Sequence, residues 1–550
     1  MPRNSLRRVR VTATSALALT FLATACSGGA ADGAGSADSK PVRGGTLTYV
    51  TDRQEACIDP QVGGDLPQAT IAHQITDNLV YEDAKGEIQP WLAKKWTISP
   101  DGLTYTFTLR DDVKFTDGTR FDAAAVKANL DRVVDPATES STDGGYIKPF
   151  YKNSVAVSDY VLKVDLKKKD GALLHILAQS YIGIQSPAGF KRGKDANCKA
   201  PIGTGPFKVE KYVSKDEVRL VRNDDYRTAP PESKNTKTAY LDRLIFKVVP
   251  EGQVRYAALT NKQADVIYLP PPQLWKTIEN NPSQALFSKV RAGSPVKIDL
   301  STRTAPFTDV RVRRAFRFAA NEKAALKSAY FDTYDFVGGP LSAATPFYDP
   351  AFETAYAHHP KKAAALLDQA GWTGRDAQGY RTKNGKQLRV EIVYPAAMIP
   401  AEDITEIQNI QAAEKEAGVN VVLKPGSEAD FNAAWAAHDF GGLAGGYWTT
   451  NTPDVLRTLY STEGLKTYGT NATAHSDPAL DKVLQQALDT QDDARRTTLY
   501  AQAQQIVSDA ALQVNLHPAA NRLAYNKTVH GLTADNAVAL PDFREVWVTK

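Results

Sequence analysis

Residues 92–133, LAKKWTISPDGLTYTFTLRDDVKFTDGTRFDAAAVKANLDRV, constrain the fold more than any other stretch of the 550-residue chain. A strand ending at Trp96 and Ile98 runs into Pro100-Asp101-Gly102, where a fixed φ and a residue tolerant of φ > 0 make a turn. Beyond it Tyr105, Phe107 and Leu109 share one face, and Thr104, Thr106 and Thr108 the other. That period of two describes a half-buried antiparallel strand, so the segment is a hairpin. A second turn at Asp117-Gly118 leads to Asp122 as N-cap of a helix with Val126, Leu130 and Val133 at helical spacing.

The N-terminus calls for separate treatment. Arg3, Arg7, Arg8 and Arg10 precede an apolar run over 11–25, too short for a membrane span and typical of a secretory signal. Ala23-Thr24-Ala25-Cys26 resembles a lipobox, with Ala23 where Leu is commoner, which makes Cys26 the expected lipidation site and 1–25 a lipoprotein signal peptide; the alternative is a signal peptide that merely contains a Cys. The Arg7-Arg8 pair fits either twin-arginine export or an ordinary basic leader. Residues 26–40 are small and polar, a flexible tether that builds no core.

The four leader arginines account for the whole formal charge of +4, so the exported chain is near neutral. Nucleic-acid binding is thereby disfavoured. The 525 residues from Cys26 onward suffice for several domains. With Cys26 assigned to lipid, Cys57 and Cys198 remain, either as a disulfide or as two separate buried thiols. Neither has a partner at zinc-ligand spacing. The eight histidines form no HxH or HxxxH pair, so no metal and no cofactor are expected.

In chain order, Leu47 and Tyr49 alternate as a first strand, followed by a polar loop with Asp52, Gln54 and Asp59. Ile71, Ile75 and Leu79 predict a helix ending near Tyr81. Pro201-Ile202-Gly203-Thr204-Gly205-Pro206-Phe207 lacks the third glycine and the Lys-Ser/Thr of a phosphate loop, and reads as a tight turn feeding a strand through Val209. Strand, helix and strand follow at 241–249, 254–259 and 264–267. Around 311–319, Val312, Phe316 and Ala319 form one helical face while Arg311, Arg314 and Arg317 read as a solvated side. Helices at 360–370 and 402–417, each closed by glycine, alternate with strands at 388–394 and 419–423. This alternation is that of an α/β fold.

The wording of 92–133 resembles the signature of the family 5 extracellular solute-binding proteins, the peptide-, nickel- and opine-type receptors of ABC importers. The opening Gly44-Gly45-Thr46-Leu47, the turn 201–207, Asn223 to Tyr226, and the helix from Val310 match the family in the same order. The resemblance implies a two-lobed periplasmic-binding-protein-like α/β fold of the large three-subdomain type, with a ligand cleft between lobes. Lobe I would comprise 41–297, lobe II 298–517, and 518–550 would return to lobe I. It further implies a monomeric, non-enzymatic receptor, lipid-anchored on the extracellular face of the cell membrane, which hands a small molecule or peptide to permease subunits.

The candidate site is Gly441-Gly442-Leu443-Ala444-Gly445-Gly446-Tyr447-Trp448-Thr449-Thr450-Asn451-Thr452-Pro453-Asp454. Its glycines allow close backbone approach, and its two aromatics suit either a ligand face or a core. In peptide receptors of the family a Trp here is followed three residues on by an Asp that pairs with the ligand's amine. This chain has Asn451 instead, and the loop after 388–394 reads Pro395-Ala396-Ala397-Met398-Ile399-Pro400, without the family's carboxylate-binding Arg. Both terminal clamps are thus missing, which favours a peptide-like or other neutral or aromatic-rich solute. Tyr447 and Trp448 are expected to enclose it, with Thr450 and Asn451 as polar contacts and Gly446, Met398 and Gln54 nearby. The alternatives are a secreted hydrolase, for which no GxSxG, HExxH, P-loop or CxxC stands in the chain, and a purely structural lipoprotein.

Overall fold

The computed structural model describes residues 40–53, 57–140 and 142–549. Cys26, the leader, the tether up to 39, and Gln54 lie outside the described residues. Three sheets organise the chain. Two of them build the first lobe and one the second.

A seven-stranded mixed sheet runs Gln284–Val290, Ala520–Asn526, Val266–Tyr268, Thr46–Thr51, Arg243–Val248, Glu217–Arg222, Phe207–Val213. Thr46–Thr51 pairs in parallel with both of its neighbours, which explains why Leu47, Tyr49 and Val50 are all buried. The hairpin at Pro100 forms as expected, Ala93–Ile98 against Thr104–Leu109, within a four-stranded antiparallel sheet that adds Val161–Leu166 and Tyr151–Ser158. Tyr105, Phe107 and Leu109 are buried there against the helix Ala123–Val134. Asp122 caps that helix by accepting the Ala125 N–H at 2.9 Å.

The second lobe holds a five-stranded sheet in the order Asn420–Gly426, Arg389–Pro395, Gly442–Gly446, Lys297–Leu300, Gln513–Asn515. Helices Val310–Ala319, Pro360–Gln369 and Ala401–Ala417 cover it. Gly418 ends the last of these at φ 88°, a left-handed position that glycine occupies without strain.

The chain passes between the lobes twice, at 291–296 and at 516–519. The two crossings are hydrogen-bonded side by side: the Arg291 N–H donates to Ala519 O at 2.8 Å and the Val296 N–H to His517 O at 2.9 Å.

Two sequence-based expectations need correction. The helix predicted through Ile71, Ile75 and Leu79 spans only Leu66–Ala72, and Val80–Glu82 is a strand paired with Ile88–Pro90. The carbonyls of Gln74, Ile75 and Asp77 instead accept from Phe207, Gly205 and Ile184. This contact explains the glycines of the 201–207 turn, because a Cβ on Gly203 would lie 2.2 Å from Ile75 O. Arg317, expected on a solvated face, is buried beside Glu322 and over the Tyr356 ring, 3.9 Å from its centroid. Helical spacing alone did not reveal that a second element covers that face.

A disulfide joins Cys57 to Cys198, tying the loop after the first strand to the helix Lys194–Lys199. No helix of the described residues is long and apolar enough to cross a membrane.

Candidate ligand-binding site

A cavity of about 330 Å³ opens between the lobes beside the two crossings. The first lobe contributes Arg53, Tyr181 and Tyr268, and the second Met398, Phe431, Trp435, Tyr447 and Trp448. Arg291 and His517, from the crossings themselves, complete the wall.

The glycine-rich strand positions the aromatics. Gly442–Gly446 is a central strand of the second-lobe sheet, and Gly445, at φ 94°, lets the backbone pass so close to Ile399 that a Cβ would lie 2.7 Å from its Cγ2. Just beyond, residues 447–450 are laced to 292–294. The Trp448 N–H donates to Ser294 Oγ and the Ser294 N–H to Trp448 O, both at 2.9 Å, and the Thr450 N–H donates to Ala292 O at 3.2 Å. Gly293, at φ 113°, makes this possible, because a Cβ there would meet Trp448 O at 2.0 Å. Tyr447 and Trp448 are thereby held half-buried in the cavity wall. Trp448 also touches the apolar clusters of both lobes.

Gly446 and Met398 line the same cavity, and Met398 is 37 % exposed at its rim. Thr450 and Asn451 do not line it, which corrects the expectation that they are its polar contacts. Both are buried, and their side chains are spent on a bridge between lobes. Gln179 Nε2 donates to Thr450 Oγ1 at 3.0 Å and to Asn451 Oδ1 at 2.7 Å. Asn451 Nδ2 donates to Glu82 Oε2 and to His175 O, the latter at 2.9 Å. Glu82 also bonds His175 Nδ1 at 2.9 Å, and burial holds its carboxyl above the usual range. A side chain able both to donate and to accept suits this position, which gives the Asn its structural reason.

Several wall residues carried no recognisable signal. Arg53 is gripped by Asp65, with Nη2 at 2.8 Å from Oδ1, and by Asp52 at 2.9 Å. On the far side Asp403 accepts from the Tyr330 hydroxyl and from His517 Nε2 at 3.0 Å, and burial together with Asp403 pushes the Tyr330 hydroxyl well up. Arg291 is 4 % exposed and lies 4.8 Å from the centroid of the Tyr447 ring. The only hint in the sequence is that Val290-Arg291-Ala292-Gly293 stands where the strand pattern restarts. A mixed wall of this kind, aromatic with a few fixed charges, suits a bound small molecule.

Comparison with known proteins agrees with this architecture. The family model "Bacterial extracellular solute-binding proteins, family 5 Middle" matches residues 87–469. The chain is 28% identical over 440 residues to the nickel-binding periplasmic protein of Escherichia coli (strain K12), covering 78% of this chain and 80% of that protein. It is likewise 28% identical over 475 residues to glutathione-binding protein GsiB of Escherichia coli O1:K1 / APEC, covering 82% and 84%. Among solved structures, the ABC transporter-associated periplasmic binding protein DppA of Helicobacter pylori, in complex with peptide STSA, shares the fold at TM-score 0.79. That alignment covers 92% of this chain and 99% of that one at 24% identity. With two lobes meeting at an aromatic-walled cavity and a family match over most of its length, the chain belongs to the family 5 bacterial extracellular solute-binding proteins.

Proposed function

We propose that this protein captures a small solute by closing its lobes and delivers it to the permease of an ABC importer, held at the outer face of the membrane by a lipid on Cys26. The observation that carries the reading is the interlobe cavity itself, walled by Tyr268 from one lobe, Tyr447 and Trp448 from the other, and Arg291 from a crossing. A solute there touches both lobes only when they are shut, so its differential affinity for the closed form drives closure. Tyr447 and Trp448 supply flat apolar area, with Gly446 and Met398 beside them, and Gln54 belongs to the loop proposed to face the same cleft. The Asn451 bridge to Glu82 and Gln179 adds protein-protein bonds to the shut state.

Native mass spectrometry of the protein purified from its own host tests this reading. A small molecule retained by the folded chain, released unchanged on unfolding and lost from Trp448→Ala, is the expected result. Release of a chemically altered product would favour the hydrolase, and absence of any bound mass would leave the receptor reading without support. The same spectrum of the intact chain reports the anchor, as a mass increment at Cys26 equal to two or more acyl chains.

A further inference from the structure

Arg291 has an unusual environment. It is 4 % exposed, yet Nε and Nη1 have no hydrogen-bond partner among the described residues, and no ion pair engages it there. The ionisable groups that dominate its surroundings are the hydroxyls of Tyr447, Tyr268 and Tyr181 rather than carboxylates, and Tyr447 is its one side-chain hydrogen-bond partner among them. Arg53, the other guanidinium of the cavity, is instead neutralised by Asp52 and Asp65. A guanidinium cannot shed its proton to escape burial. Leaving its donors unmet costs the desolvation penalty in full, and that penalty is relieved only by an acceptor, most effectively a negatively charged one.

We infer that the solute is an organic acid whose carboxylate sits on Arg291 while its apolar body lies against Tyr447 and Trp448. Nε and Nη1 stand on opposite edges of the guanidinium, so a carboxylate oxygen takes a charge-assisted bond from one of these unpartnered nitrogens. The Tyr447 ring, already against the guanidinium, continues into the aromatic wall that receives the rest of the molecule. Because Arg291 lies on a crossing, the ligand's charge is neutralised at the place where the lobes pivot. This deepens the receptor reading and rests on it: the carboxylate clamp missing from 395–400 is supplied by a different element, and the expectation of a neutral solute gives way to an anionic one.

The test uses matched probes on the full chain at fixed ionic strength: phenylacetate and its neutral isostere phenylacetamide, followed by thermal melting and tryptophan fluorescence. Phenylacetate is expected to raise the melting temperature saturably, with phenylacetamide at least roughly tenfold weaker, since a hydrogen bond to a charged group exceeds a neutral one. Arg291→Met should weaken phenylacetate roughly 100-fold, and Arg291→Lys less, because a charged donor survives but the planar guanidinium against the Tyr447 ring does not. Without ligand, Arg291→Met should melt close to the parent, since the charge it removes is buried with two unmet donors and no carboxylate beside it among the described residues, only the Tyr447 ring and hydroxyl. The inference is overturned if phenylacetate gives no saturable response, if acid and amide bind alike, if Arg291→Met leaves acid binding intact, or if that variant melts well below the parent. Those outcomes do not touch the receptor reading, whose own failure is the absence of any solute on the protein from its host.

Discussion

Asn451 and Arg291 stand at opposite ends of what single residues disclose. Asn451 drew attention because it replaces a family carboxylate, and its chemistry as both donor and acceptor proves to serve an interlobe bridge rather than the cavity. Asn451→Asp would place a second carboxylate against Glu82, so we expect a loss of roughly 1–3 kcal/mol at pH 7, measured by urea unfolding. Arg291 gave no such cue, because an arginine in a strand-like stretch is usually solvated and only the fold shows that this one is not. Asp170 supplies a pH test. Burial and the nearby Asp454 carboxylate push its carboxyl up to about 7 from an ordinary value near 3.8. The folded state therefore holds a proton that the unfolded chain releases, and this contribution is fully present below about pH 4 and lost as pH rises toward 7. Asp170→Asn keeps an acceptor for the Ala172 N–H. Between pH 4 and 7 we expect the parent to lose roughly 4 kcal/mol more than this variant.

At the scale of elements, local pattern succeeded where burial follows from a single neighbour. The hairpin at Pro100, the capped helix after it, and the glycine stops at 371 and 418 were legible, because alternation, caps and left-handed positions are local matters. Asp122→Ala should accordingly cost about 1 kcal/mol in thermal or urea unfolding. The pattern failed at 71–81, where apolar spacing suggested a helix but the carbonyls of 74, 75 and 77 are claimed by segments more than a hundred residues away. Gly203→Ala puts a methyl into that contact and should destabilise by roughly 1–3 kcal/mol or more, whereas alanine at Gly86, with open space around its Cβ, meets only its own φ strain. The same distinction explains the site: the glycines and aromatics of 441–448 were visible as a stretch, but which side chains would meet them across the cleft was not.

For the molecule as a whole, the alternation of strand and helix and the family resemblance carried the two-lobed fold, since both are spread along most of the chain. The arrangement of walls around the cleft depends on lobe packing, which no local window contains. The disulfide acts at this scale, closing a loop across 141 residues, so reducing it should lower stability by roughly 2–5 kcal/mol. Closure over a solute is the central claim, and small-angle X-ray scattering tests it directly. Protein from its native host is stripped of solute by partial unfolding, refolded, and measured with and without the molecule recovered from it. A smaller radius of gyration on adding the solute, absent from Arg291→Met at the same concentration, is the expected outcome; identical scattering from the stripped and loaded parent protein would contradict the account.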